Sequence, residues 1–321
     1  MTSLTVWRRT MWLATILLIV TSVVGPFGRW CWPFELLTHF PAQFAVAELA
    51  VAVGFALAGS RRAALLPIAL AAWHSAAIAP FYLDPPTPPA VAASDGRVLR
   101  AIAVNVAAQN RDQAAVIRVL RAAKPDVVLI TELTPFWAAA LGEFSGDLPF
   151  QHLAPRAGAY GIGVLSRVPF TVVDDVPTEA LFLAVRIVEP PVTIVGAHAF
   201  PPFTPHMLRL RDREFARIAA FVRRHAGPLV LLGDLNSSSW SPAFRDLLRD
   251  AGLRDTRLGR GVQPTWPAWL PVAQVPIDHA LVSPGVRVHA RSVGERLGSD
   301  HLPVVLDFSV AAPTALSPGA R

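Results

Sequence analysis

The stretch Gly298–Leu306, GSDHLPVVL, places an acid and an imidazole side by side just before an apolar run. The β-branched residues that follow are typical of a buried strand. Asp300 and His301 therefore precede a point where the chain enters the core. An isolated Asp-His pair is also common in loops, so its meaning depends on partners elsewhere in the chain.

Similar polar residues stand at the tips of other apolar segments. Strands are predicted from the apolar runs at 98–106, 126–133, 181–188, 192–200, 228–236, 278–283 and 303–310. Amphipathic helices are predicted at 111–124, with Asn110 as N-cap, at 206–225 and at 242–251. The polar residues at the strand tips are Asn105, Glu132, His198, Asp234, Asn236 and Asp278. Because buried strands emerge at their tips, we expect these side chains to share one rim with Asp300 and His301.

Each of these residues also has a simpler explanation when it is taken alone. Asn105 suits a turn, His198 suits a buried core position, and the segment GDLN suits a Gly-Asp turn. Their joint occurrence favours a site. Asp234 and Asn236 are two residues apart, so in extended backbone both side chains point the same way. An acid beside an amide, with no cysteine ligand available, suits a hard cation such as Mg²⁺.

The composition indicates that part of the chain lies in a membrane. Of 321 residues, 53% are hydrophobic and 16% charged, and the net charge is +6. The single cysteine, Cys31, excludes an internal disulfide and a zinc site built from cysteines. Apolar stretches at 10–28, 41–59 and 63–83 approach the roughly 20 residues that cross a bilayer as a helix. The first could instead be a signal peptide, although its length favours an uncleaved span.

The arginines near these stretches predict how they are oriented. Arg8 and Arg9 precede the first, and Arg61 and Arg62 separate the second from the third. The positive-inside rule then places the N-terminus in the cytoplasm and everything after the third span outside it. We therefore expect a multi-pass protein of the inner (cell) membrane. Its predicted parts are a transmembrane region at 1–83, a Pro-rich linker at 84–97, an extracytoplasmic domain at 98–310 and a disordered tail at 311–321.

The ordered set of motifs in the outer domain resembles the endonuclease/exonuclease/phosphatase superfamily, which includes DNase I-like proteins. The matching segments are AVNV at Asn105, ITEL at Glu132, GIGVLSR at 161–167, GAHAF at His198, GDLN at Asp234, IDHALVS at Asp278 and GSDHLPV at Asp300. The resemblance implies an α/β fold, a four-layer α/β sandwich of two mixed β-sheets flanked by helices. Three N-terminal transmembrane helices would precede it.

The resemblance also implies a role for each residue. The implied metal ligands are Glu132, Asn105 and Asp300, with Mg²⁺ as the metal and Mn²⁺ as an alternative. Asp234 would orient or deprotonate the attacking water. The groups implied to act on the phosphoryl oxygens are Asn236, His198 and His301. Asp278 would hold the His301 imidazole. Where some relatives carry a Tyr or Arg, this chain has the apolar segment GAHAFPPFTPHM.

Two enzyme activities remain open at this point. One is a membrane-anchored, Mg²⁺-dependent phosphoesterase that hydrolyses a phosphodiester or phosphomonoester by water attack. The alternative is an extracytoplasmic nuclease of DNA or RNA. Arg167 and Trp266 are predicted to contact the substrate. The implied partners are the phosphoester substrate and the lipid bilayer, and no protein partner can be inferred. A non-catalytic binding protein would lack some of the expected acids and histidines, and all are present.

Overall fold

Two six-stranded sheets face each other in the computed structural model, which describes residues 3–83, 97–177, 180–225 and 227–310. The strands are β1 (Leu99–Asn105), β2 (Val127–Thr131), β3 (Phe150–Ala154), β4 (Ile162–Ser166), β5 (Phe170–Val172), β6 (Phe182–Ile187), β7 (Val192–His198), β8 (Leu229–Asp234), β9 (Arg254–Asp255), β10 (Asp278–Val282), β11 (Val286–Val293) and β12 (Val304–Val310). The helices are α1 (Ser3–Val24), α2 (Trp32–Leu37), α3 (Pro41–Leu57), α4 (Leu65–Ile78), α5 (Gln113–Ala123), α6 (Pro135–Gly142), α7 (Pro205–Arg224) and α8 (Pro242–Ala251). Nearly all of the predicted linker and the whole predicted tail lie outside the described residues.

Both sheets are mixed. The first has the order β11-β12-β1-β2-β4-β3 and the second the order β5-β6-β7-β8-β10-β9. Only the pairs β1–β2 and β7–β8 are parallel among the described strands. The inner faces of the two sheets form one apolar core, α5 and α6 cover the outside of the first sheet, and α7 and α8 cover the outside of the second. The predicted sandwich of two mixed sheets flanked by helices is therefore confirmed.

Helix α5 begins later than its sequence pattern predicts. Asp112, and not Asn110, is its N-cap, because the Asp112 carboxylate accepts a hydrogen bond from the Ala115 amide. The Asn110 side chain instead accepts from the Asp112 amide and donates to the Leu297 carbonyl. Asn110 therefore ties the start of α5 to the loop that leads into β12.

The N-terminal helices differ in length from the predicted spans. Among the described residues only one helix is long and apolar enough to cross a membrane, over Thr5–Val24. Helix α3 has 17 residues and α4 has 14, which correspond to about 25 and 21 Å at 1.5 Å per residue, against roughly 30 Å for the hydrocarbon core. Three membrane spans therefore stay a prediction.

These helices form an antiparallel bundle. The start of α1 lies against the end of α3, where Arg8 donates to the Ala58 carbonyl. Within the bundle, the buried Glu48 carboxylate accepts hydrogen bonds from His74, at 2.9 Å, and from Ser22, at 3.4 Å. The bundle end that carries the turn between α3 and α4 is opposite to the end that meets the sandwich.

The bundle is joined to the sandwich by buried polar contacts. Glu35 of α2 accepts hydrogen bonds from Arg211 of α7, at 2.7 Å, and from Ser241, at 2.5 Å. Both Glu35 and Arg211 are almost completely buried. His39 contacts Ser238 at 2.8 Å, so α2 and the segment after it pack directly on the loop that follows β8.

Candidate functional site

The register of the second sheet aligns three of the predicted residues. His198 pairs with Asp234 across β7 and β8, and Asp234 pairs with Asp278 across β8 and β10. Equivalent positions on neighbouring strands lie about 5 Å apart and face the same side. One row across three adjacent strands therefore presents an imidazole and two carboxylates, all of them buried.

The first sheet contributes the residues that face this row. Asn105 ends β1 and pairs with Thr131 of β2, so Glu132 follows at the same edge. The Asn105 Nδ2 group donates to Glu132 Oε1 at 3.1 Å and to Asp234 Oδ2 at 3.0 Å. One amide therefore connects the carboxylates of the two sheets, and the strand tips converge as the sequence predicts.

The backbone is strained at this rim. Glu132 and Asn236 have positive φ, 58° and 48°, a conformation that residues other than glycine seldom adopt. Gly233 has φ 136°, and a Cβ there would lie 1.9 Å from the Ala197 carbonyl oxygen, so no other residue fits between β7 and β8. Such conformations persist where surrounding contacts enforce them, and they concentrate at functional sites.

His301, Asp278 and Asp234 lie close enough to shift one another's pKa values. His301 Nδ1 lies 2.9 Å from Asp278 Oδ2, and His301 Nε2 lies 3.7 Å from Asp234 Oδ2. Burial alone would lower the pKa of the His301 imidazole, but Asp278 and Asp234 outweigh it and raise that pKa to about 10. Burial raises the pKa of the Asp234 carboxyl, and Asp278 adds to the effect, bringing it to about 7.

His198 completes the surroundings of Asp234. Its Nε2 lies 3.7 Å from Asp234 Oδ2, the same distance as the Nε2 of His301. Burial lowers the pKa of the His198 imidazole to about 4, although Glu132 opposes the shift. Asp234 therefore has one neutral and one protonated imidazole as neighbours near neutral pH. Asn236 is held by its amide N–H, which donates to Asp234 Oδ1, and by its side chain, which donates to the Ala199 carbonyl.

Two of the three predicted metal ligands suit a hard cation. Glu132 is partly exposed at the rim, with Oε2 accepting a hydrogen bond from the Ala108 amide. Asp300 Oδ2 accepts a hydrogen bond from the Trp266 indole. Asn105 has a different orientation, because its oxygen accepts from the Ala107 amide while its nitrogen faces the carboxylates. Asn105 in this rotamer orients Glu132 and does not offer an oxygen to a metal.

A second group of acids and imidazole has metal-like spacing. One ligand atom from each of Asp234, Asp278 and His301 lies within 4.8 Å of the others. A metal needs the neutral form of an imidazole, and the pKa of His301 is raised to about 10. With the His301 imidazole protonated, these three residues are suited to holding and moving a proton, whereas the family resemblance implies Glu132 and Asp300 as metal ligands.

The two predicted substrate contacts have different outcomes. Trp266 lies at the site, because its indole N–H donates to Asp300 Oδ2 at 3.0 Å. Arg167 lies away from the site, and this corrects the prediction that it contacts the substrate. It follows β4, which is antiparallel to β2, so its amide bonds the Asp126 carbonyl at the end of β2 away from Glu132. The two ends are separated by about 20 Å along the strand.

Some residues of the site were not predicted from the sequence. Thr265 Oγ1 accepts a hydrogen bond from the Asp278 amide at 3.2 Å, and Ser299 Oγ accepts from the His301 amide at 3.0 Å. The Tyr160 ring lies 5.6 Å from the His198 ring. Burial and the nearby Glu132 raise the pKa of the Tyr160 hydroxyl. Only the position of Ser299 inside GSDHLPV is a sequence signal for any of the three.

Comparison with known proteins agrees with this geometry. Residues 102–301 match the Endonuclease/Exonuclease/phosphatase family. The fold is similar to a humanized TDP2 of D. rerio, with 17% identity, a TM-score of 0.55 and coverage of 66% of this chain and 99% of that one. It is also similar to the Neisseria 3′ phosphatase NExo bound to a product DNA hairpin, with 23% identity, a TM-score of 0.54 and coverage of 66% and 99%. The endonuclease/exonuclease/phosphatase of Beutenbergia cavernae is 24% identical, with a TM-score of 0.51 and coverage of 68% and 73%. None of the curated proteins compared with the chain matches it.

Proposed function

Because the chain belongs to the endonuclease/exonuclease/phosphatase family and is a metal-dependent phosphoric ester hydrolase, we propose that it is a membrane-anchored phosphoesterase that uses Mg²⁺. The observation that carries the proposal is the convergence of acids, amides and imidazoles from both sheets on one rim. The convergence is shown most directly by the Asn105 side-chain amide, which donates hydrogen bonds to both Glu132 and Asp234.

Water attack on phosphorus is the reaction that these residues support. Asp234 has a pKa raised to about 7, close to the value at which a carboxylate works best as a general base near neutral pH. It takes a proton from the attacking water. His301, kept protonated by Asp278, donates a hydrogen bond to one phosphoryl oxygen. The second N–H of the Asn236 side-chain amide and the His198 imidazole donate to the other phosphoryl oxygens.

The metal would be held by Glu132 and Asp300, with water completing its coordination, as Mg²⁺ commonly requires. When bound, it supplies positive charge that neutralises the phosphoryl group. The hydrogen bond that Asn105 donates to Oε1 fixes the Glu132 carboxylate, which would hold the metal. Trp266 does the same for Asp300 through Oδ2. Both are positioning contacts, and neither residue needs to touch the substrate.

The membrane part of the proposal rests on the N-terminal helices. Helix α1 includes a 20-residue apolar stretch, and α3 and α4 expose large apolar side chains such as Val46, Leu57 and Leu65. Such faces are typical of contact with lipid. The arginine pairs at 8–9 and 61–62 lie at the end of the bundle away from the sandwich, which suits a catalytic domain on the extracytoplasmic side.

The proposal is tested by hydrolysis of bis-p-nitrophenyl phosphate and p-nitrophenyl phosphate by the full chain in detergent. We expect release of p-nitrophenol with Mg²⁺, loss of the reaction with EDTA and recovery when Mg²⁺ is returned. Mn²⁺ should replace Mg²⁺ at least in part, since both prefer oxygen ligands. Hydrolysis that persists undiminished in EDTA would contradict the assignment.

A nuclease of DNA or RNA is the second candidate. It is favoured by the fold shared with the 3′ phosphatase NExo, whose solved structure contains a product DNA hairpin. The sequence has no run of Lys or Arg with interleaved aromatic residues, which proteins that bind single strands use. Plasmid DNA and RNA as substrates, compared with the small esters at equal enzyme concentration, distinguish the two candidates.

A further inference from the structure

We infer that the active site takes its phosphoester from a lipid of the bilayer, and that the loop 265–274 holds the mouth of the site against the membrane surface. The inference rests on the proposed function and adds a substrate class to it. We call this segment, TWPAWLPVAQ, the mouth loop.

One side of the mouth loop is fixed to the metal-binding residue Asp300. The Trp266 indole donates to Asp300 Oδ2 at 3.0 Å, and the Ala268 amide donates to the Asp300 carbonyl at 2.7 Å. Arg296 also donates to the Ala268 carbonyl. The base of the loop is closed by hydrogen bonds between Trp266 and Val275. The loop is thus a rigid wall of the site.

The other side of the loop is fixed to the apolar helices. Gln43, in the first turn of α3, donates from Nε2 to the Gln274 carbonyl at 2.9 Å. Just before the loop, the Gly261 amide donates to the Phe81 carbonyl, which follows α4. The loop therefore lies at the bundle end where α3 begins and the chain leaves α4. If the bundle is embedded in lipid, this end is at the membrane surface.

The tip of the mouth loop is apolar and exposed. Trp269 is 66% exposed and Val272 is 78% exposed, although both stand in a tightly bonded segment. Exposed aromatic residues also mark the same end of the bundle, with Trp30 after α1 and Tyr82 after α4. Trp and Tyr favour the boundary between lipid and water. The tip of the mouth loop and these aromatic residues thus lie at the same end of the bundle, and the base of the loop contacts Asp300.

A phosphate group at the lipid headgroup level would then lie beside the site without leaving the membrane. The reaction consumes one water, whose oxygen bonds to phosphorus and whose proton passes to Asp234. The bond from phosphorus to the leaving oxygen breaks, and that oxygen takes a proton from solvent, while His301 keeps its hydrogen bond to a phosphoryl oxygen. The products are an alcohol and a phosphate, one of which stays in the bilayer with the acyl chains.

Activity on vesicles tests the substrate class. The full chain is reconstituted into phosphatidylethanolamine vesicles that contain either phosphatidylglycerol, which is a diester, or phosphatidic acid, which is a monoester. The release of phosphate or headgroup from these vesicles is then compared with the hydrolysis of bis-p-nitrophenyl phosphate. We expect Mg²⁺-dependent release from one of the two. The double substitution Trp269→Ser with Val272→Ser should lower the ratio of lipid to soluble-ester turnover at least tenfold. Val188→Ser is the matched control, because Val188 is 59% exposed at the opposite end of the second sheet.

The position of the loop has its own test. The chain has a single cysteine, so a Cys31→Ser background allows one spin label at a time, at Val272→Cys or at Val188→Cys. We expect the label at 272 to be accessible to oxygen, as in lipid, and the label at 188 to be accessible to a water-soluble nickel complex.

The outcomes separate the inference from the proposed function. Hydrolysis of the soluble ester without release from either vesicle, or cleavage of DNA or RNA in its place, overturns the lipid substrate and leaves the phosphoesterase intact. If the spin label at 272 is as accessible to the water-soluble nickel complex as the label at 188, the membrane contact of the loop is overturned. Loss of every hydrolytic activity contradicts the proposed function itself, and the inference with it.

Discussion

At the scale of single residues, both carboxylate oxygens of Asp234 accept hydrogen bonds, and two imidazoles lie close to one of them. Its Oδ1 accepts from the Asn236 amide, its Oδ2 accepts from Asn105, and two imidazole nitrogens lie 3.7 Å from Oδ2. A carboxylate that is buried in this way holds its neighbours in place as well as moving a proton. Removing its charge therefore affects the reaction and the surrounding geometry together, and an isosteric substitution is needed to separate them.

Asp234→Asn should lower kcat by about 10²–10³, the usual effect of removing one preorganised catalytic group. The amide keeps the shape of the side chain but cannot take a proton from water. We expect a small drop in the thermal midpoint, since burial disfavours the charged form that the substitution removes, while the amide can accept only one of the two hydrogen bonds that Asn236 and Asn105 donate. Asp175→Asn is the matched control, at a half-exposed carboxylate that pairs with Arg224 and His225. A variant with full activity would remove Asp234 from the mechanism.

The strand tips were predictable from the sequence because the signal is local. An apolar run followed by Asn105, Glu132 or Asp234 can be recognised within ten residues, and the rim follows from where buried strands end. The rotamer of Asn105 and the placement of Arg167 could not be predicted in this way. They depend on which hydrogen bonds form across strands and on the antiparallel pairing of β2 with β4.

At the scale of elements, the contact between α2 and α7 is the least expected feature. Glu35 and Arg211 are 176 residues apart in the chain, so no periodicity or motif connects them. Arg211 Nη1 also donates to the Oγ of Ser237, the residue immediately after GDLN, at 3.1 Å. The sequence suggests an anchor and a separate catalytic domain. The buried pair makes α2 part of the scaffold of the site loop.

Glu35→Gln should lower the free energy of unfolding by about 3 kcal/mol, since it removes the buried one of the two carboxylates that lie 2.7 Å from the Arg211 guanidinium and leaves only the half-exposed Asp212. Arg211→Gln added to it should recover part of that loss, because both charges are then gone. The measurement is the thermal midpoint of the full chain in detergent.

Arg29→Gln is the matched control, because Arg29 and Asp246 form an exposed pair on the same surface. We expect this substitution to lower the free energy of unfolding by less than about 1 kcal/mol. Equal effects at Glu35 and Arg29 would contradict a scaffold role for the buried pair.

At the scale of the whole molecule, the contact between the helical bundle and the loop after β8 should lose stability as the pH drops below neutrality. Burial lowers the pKa of the His39 imidazole from 6.5 to about 4, with Glu35 opposing the shift and Arg211 adding to it. His39 Nδ1 accepts a hydrogen bond from the Ser238 amide, which requires that nitrogen to be unprotonated. The folded state therefore holds this imidazole neutral at a pH where the unfolded chain takes up a proton.

Between pH 6.5 and 4 the unfolded chain binds more protons at this position than the folded chain, so stability rises with pH across that window and is fully present above it. From the pKa of about 4, the contribution of His39 to the free energy of unfolding changes by about 2 kcal/mol between pH 7.5 and pH 5.

His39→Asn keeps an acceptor for the Ser238 amide and does not titrate. The thermal midpoint of this variant should therefore fall less between the two pH values than that of the parent chain. The same substitution at the exposed His289 should leave the dependence on pH as it is in the parent. Identical pH profiles for His39→Asn and the parent would mean that the contact between the helical bundle and the loop after β8 does not depend on a neutral His39.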